Sequence, residues 1–178
     1  LELRGTFARP HADQNDRVTG QTSFANTTPT FLVDNAAGSD IVAFVQYVQH
    51  IQTGTVAGAD IFAEYEAVSP SAYASGGTSE KIVSVAMGMT NKPSPRCRVF
   101  TGATATAGYG IKVGHYTLGP DVSPAEGVIN VPEWTPPSGL LLWPGSSLNI
   151  FTYAGTTGPT WDWHIPIWEI PINWFQRY

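Results

Sequence analysis

Charge is what this chain has least of. Of 178 residues, 13% are Asp, Glu, Lys or Arg, about half the roughly 25% of an average soluble domain. Thr, Ser, Gly and Asn fill the polar positions instead. A surface with so little charge repels its neighbours weakly, which favours a permanent assembly; the formal net charge of −5 tempers this. The acidic balance excludes a general nucleic-acid binder, because phosphate recognition needs clustered Lys and Arg. One cysteine, Cys97, excludes an intramolecular disulfide. No apolar run approaches the ~20 residues of a membrane-spanning helix, so no membrane partner is expected.

Motifs of catalysis are equally scarce. There is no G-x-S-x-G elbow and no P-loop; Gly108, Gly110 and Gly114 miss the dinucleotide spacing by one residue and lack its helix. His11, His50, His115 and His164 lie far apart, and the one close H-x-D pair, His11 with Asp13, falls ahead of the strands. A metal or cofactor site is therefore not expected. Glu64 and Glu66 share a strand face at a separation of about 6–7 Å, the spacing of a hydrolase carboxylate pair. No sugar-binding aromatic flanks them closely in sequence, whereas Asp162 and Glu169 stand beside tryptophans. The expectation is a non-enzymatic protein.

What is present is β patterning. Residues 1–30 are polar, aperiodic and end near Pro29, and read as an extended N-terminal arm. Residues 31–178 read as one domain of suitable size for a full core. In DIVAFVQYVQHIQTG (40–54), Ile41, Phe44, Val45 and Val48 would also suit a helix face, but Val, Ile, Phe and Tyr enrichment favours a strand. With ADIFAEYEAVSP (59–70), which alternates Ile61, Ala63, Tyr65 and Ala67 against Asp60, Glu64 and Glu66, it reads as a hairpin. Further strands are expected at 80–89, 96–102 and 109–119, and two around the turn Trp143-Pro144-Gly145-Ser146. Turn signals about every ten residues predict an all-β fold, a single antiparallel β-sandwich or jelly roll.

Two segments attract functional readings. From Lys81 to Pro120 there is no acidic residue, while Lys81, Lys92, Arg96, Arg98 and Lys112 all fall there. This segment either docks on an acidic partner surface or pairs with carboxylates of neighbouring strands. The second is TWDWHIPIWEIPINWF (160–175), with four of the six tryptophans. Trp161, Trp163, Ile165 and Ile167 share one face; beyond Pro166 the apolar set becomes Trp168, Ile170, Ile172 and Trp174. A bulge beside Pro166 would restore one buried face. Otherwise the strand is buried on both sides, one of them by a second subunit. Trp161, Trp163, Trp168 and Trp174 are thus candidates for core or oligomer seam, and a ligand platform is the third reading.

The order of elements resembles the small β-sandwich decoration (cement) proteins of tailed-bacteriophage capsids. VQHIQTGTVAGADIFAEYEAVSP is similar to their strand, small-residue turn, strand unit. GLLLWPGSSLNIFTYAGTTGPTWDWHIPIWEIP is similar to their closing pattern, an apolar strand, a Pro-Gly turn and an aromatic strand ending in W-x-E-[IVL], here Trp168-Glu169-Ile170. The resemblance spans about residues 40–170, unevenly, and the middle, 70–135, departs freely. It implies a virion protein on the outer capsid surface that bridges major-capsid subunits as a homo-oligomer, trimers ahead of dimers. The rival from another class is a carbohydrate-binding module or virion adhesin, stacking sugars on Trp134, Trp143 or the 161–174 cluster.

Overall fold

A computed structural model describes residues 4–8 (backbone), 18–54, 60–84, 95–106, 110–120, 133–136, 139–155 and 159–175. The chain is all-β, with antiparallel sheets packed against each other as a sandwich. In chain order the strands are β1 (Arg4–Ala8), β2 (Val18–Thr19), β3 (Phe31–Asn35), β4 (Ile41–Val45), β5 (Val48–Gly54), β6 (Asp60–Val68), β7 (Tyr73–Ser75) and β8 (Thr78–Ser79). There follow β9 (Ile82–Ser84), β10 (Arg98–Thr101), β11 (Thr104–Ala105), β12 (Ile111–Pro120), β13 (Glu133–Trp134), β14 (Leu140–Leu142), β15 (Ser146–Ala154) and β16 (Thr160–Pro171). A 3-10 turn, Ile172–Trp174, follows directly.

One sheet is organised around β16, which pairs with β5 and β2 along its first half and with β4 and β1 along its second. A second runs β12-β6-β15-β3-β10-β8, and β7 and β11 pair as a separate two-stranded sheet. The facing sides of the two larger sheets form the main core. Trp161, Trp163, Ile165 and Ile167 of β16 meet Phe31 and Val33 of β3, Leu148 and Ile150 of β15, and Ile61, Ala63 and Tyr65 of β6. A smaller cluster, Leu32, Phe100, Ala72, Ala103 and Ala105, lies apart from it. β3 supplies both clusters, so all five of its residues are buried.

The expected hairpin between 40–54 and 59–70 does not form. β5 pairs with β13 and β16, whereas β6 pairs with β12 and β15 in the opposite sheet. Period-2 alternation identifies which face of a strand is buried, but not which strand lies beside it. The inward residues His50 and Tyr65 of β5 and β6 therefore meet across the sandwich rather than side by side.

Nor does the parity of β16 flip. Its odd-numbered residues stay buried from Trp161 through Glu169. The irregularity sits in the partner: Val45 pairs with Ile167 and Gln49 with His164, so three residues (46–48) face two (165–166). The Gln46 backbone N–H donates to the Pro166 carbonyl at 3.1 Å. An extra residue there returns both Val45 and Val48 to the core, which a regular strand cannot do. The three-residue spacing of Val45 and Val48, compatible with a helix face in sequence, is this bulge.

Two stretches of the segment expected to be an arm are sheet strands. β1 lies between β16 and β9, and Val18–Thr19 pairs with the start of β16. Of the strand expected over 80–89, Ile82–Ser84 is present, and residues 85–89 lie outside the described residues.

Candidate functional site

The tryptophans divide into two populations. Trp161 and Trp163 are 0% exposed and Trp134 is also buried. Tyr65 stacks on Trp134 at 4.0 Å, Trp163 packs on Phe31 at 4.5 Å, and His50 meets Trp161 edge-on at 5.5 Å. These rings are core and cannot serve as sugar platforms. Gly114 belongs to this core as well, because the Trp134 indole nitrogen would lie 2.6 Å from any Cβ at that position.

The second population faces outward. Trp168 is half-buried on the outer side of the β16 sheet, its indole N–H donating to Gln46 Oε1 at 3.2 Å. Trp143 is 46% exposed and Trp174 41%, and the Trp143 ring tilts against Phe175 at 5.3 Å. Leu141 (43%) and Ile111 (73%) continue the surface. A groove of about 240 Å³ opens beside Trp143, lined by Leu140, Leu141, Leu142, Trp143, Ile111 and Val68. Large aromatic and aliphatic side chains left together in water mark association surfaces.

Glu169, beside Trp168 in the W-x-E ending, is 1% exposed and points into the protein. Its Oε1 accepts the backbone N–H groups of Arg96 and Cys97, each at 2.7 Å. The carboxylate thus ties the end of β16 to the entrance of β10, rather than offering itself to a ligand. Asp162 is exposed on the same strand.

The basic segment is largely neutralised within the molecule. Arg98 forms an ion pair with buried Asp34, with its Nε at 3.0 Å from Oδ2, and its guanidinium lies over the rings of Tyr73 and Phe100. Arg96 reaches Asp40 at 3.5 Å and Lys112 reaches Glu64 at 2.9 Å. Lys81 is exposed, and Lys92 lies outside the described residues. Three of the five cations therefore follow the neighbour-pairing alternative. Cys97 is buried, and burial, with the nearby carboxylates of Glu169 and Asp34, pushes its thiol well above the usual range.

His50 is fully buried, its Nε2 2.8 Å from the Tyr65 hydroxyl, and burial lowers its pKa to about 3. His115 is exposed, His164 half-buried, and His11 lies outside the described residues. Among the described residues no group of three His, Cys, Asp or Glu could hold a metal ion, and no helix is long and apolar enough to cross a membrane.

The Glu64–Glu66 face holds what sequence reading missed. Phe62 precedes them on the same outward side of β6, and the register sets Tyr153 of β15 beside Phe62 and His115 of β12 beside Glu64. Phe62 is local to the pair, and the other two rings arrive from neighbouring strands. The F-x-E-x-E alternation was the available signal.

No family model, no curated protein and no solved structure matches this chain.

Proposed function

We propose that the chain is a non-enzymatic structural protein of a tailed-bacteriophage virion, a decoration protein that stabilises the capsid shell by bridging major-capsid subunits from outside. It acts as a homo-oligomer, a trimer ahead of a dimer. A jelly-roll connectivity belongs to the same reading. The observation that carries it is the aromatic belt of Leu141, Trp143, Trp174 and Phe175. In a chain with so few charges, water contact at these rings is a cost that only association removes. Many identical copies on a shell make modest contacts collectively strong.

The experiment is co-sedimentation with purified expanded phage shells. Wild-type protein pellets with the shells, and Trp143→Ala weakens pelleting while leaving the fold intact. Absence of pelleting across shells from a range of phages contradicts the reading. The carbohydrate-binding alternative through Trp143 or Trp174 predicts retention on glycans and no retention on shells.

A further inference from the structure

On the outer side of the six-stranded sheet, side chains of four segments converge. Phe62 stacks with Tyr153 at 5.4 Å and an interplanar angle of 21°, and with His115 at 6.3 Å and 20°. The Tyr153 hydroxyl lies 3.3 Å from His115 Nε2. The three rings thus form one nearly parallel array across β15, β6 and β12. Phe24 stands against its edge, 5.6 Å from Tyr153, and is 44% exposed. Beside the rings, Lys112 Nζ meets Glu64 Oε1 at 2.9 Å. The Glu66 side chain occupies the space that a Cβ at Gly110 would take, so the glycine gives that carboxylate its place.

We propose that this face is a binding site for a neutral pyranose sugar. The exposed His115 and Phe24 rings, rather than Phe62 stacked between its neighbours, offer apolar surface to the C–H face of a pyranose. Carboxylate, ammonium, hydroxyl and imidazole groups around it accept and donate to the ring hydroxyls. The charge selects the class. Glu64, Glu66 and Lys112 leave the face net negative, so a phosphate or an acidic sugar is repelled. The components also support a sugar better than a protein segment. One carboxylate is fixed: Glu64 is only 8% exposed and held by Lys112. Preorganised acceptors are what a small hydroxylated ligand needs, because it brings little area of its own.

This inference is independent of the shell-binding proposal, since none of its residues belongs to the aromatic belt. The test is saturation-transfer NMR on the full chain with the methyl pyranosides of glucose, galactose, mannose and N-acetylglucosamine, with sialic acid as the anionic control. At least one neutral pyranoside is expected to bind. Tyr153→Ala and the surface substitution His115→Ala each weaken it by about tenfold, the effect of losing one good contact. Trp143→Ala leaves it unchanged. Should Tyr153→Ala fail to fold, the exposed His115 and Lys112 positions carry the test. Absence of binding by every neutral pyranoside, preference for sialic acid, or binding that survives both His115→Ala and Lys112→Ala overturns the proposal.

Discussion

His50 is the residue whose chemistry is set most completely by its surroundings. It sits at 0% exposure between Tyr65, Trp161 and Phe31, and burial holds its pKa at about 3 rather than 6.5. The folded state therefore binds the neutral imidazole, whereas the unfolded chain takes up a proton below pH 6.5. The contribution of this site to stability is complete above pH 6.5. It falls as pH drops from 6.5 toward 3, at up to about 1.4 kcal/mol per pH unit. Thermal denaturation of wild type and His50→Phe across this range checks it: the substitution flattens the acid slope, and an unchanged slope would assign the lability to other groups. In sequence, His50 was one of four separated histidines with nothing to distinguish it. Glu169 was similarly opaque. A carboxylate between Trp168 and Ile170 reads as a surface residue, because the backbone donors of Arg96 and Cys97 that satisfy it are about seventy positions away.

At the scale of the element, β16 settles the question raised by its tryptophans. The strand runs unbroken past Pro166 because the register correction falls in its partner, between β4 and β5. Trp161 and Trp163 are consequently core, and Trp143 and Trp174 are surface. Trp161→Ala is expected to cost about 3–5 kcal/mol through lost burial and an unfilled cavity, and Trp143→Ala no more than about 0.5 kcal/mol in the monomer. Chemical denaturation of the two variants decides between them; equal costs would contradict the assignment. Strand existence was legible from alternation, as in Ile61, Ala63 and Tyr65. Strand neighbours were not, because β5 and β6 carry patterns that fit either a hairpin or two facing sheets. In sequence the irregularity falls on β16, because Pro166 is the visible break in its alternation. The actual extra residue, within Gln46-Tyr47-Val48, carries no Gly or Pro to announce it.

For the whole molecule, three separate surfaces follow from one sandwich. The core side takes three of the six tryptophans, the outer side of the β12-β6-β15 edge gathers the Phe62, Tyr153 and His115 array, and the β14 to β16 end leaves the aromatic belt in water. Composition announced the last of these only in outline: low charge favours association, but says nothing about where. The Phe62 array joins residues 91 positions apart through strand register, which no local pattern conveys. The central claim is that the belt is an assembly surface. Light scattering across a dilution series measures it directly, on wild type and on a Trp143→Ala, Trp174→Ala double variant. A trimer, or failing that a dimer, of the 19.1 kDa chain that persists on dilution and becomes a folded monomer in the variant is the predicted result. A wild-type monomer at every concentration, or an oligomer indifferent to both substitutions, would contradict it.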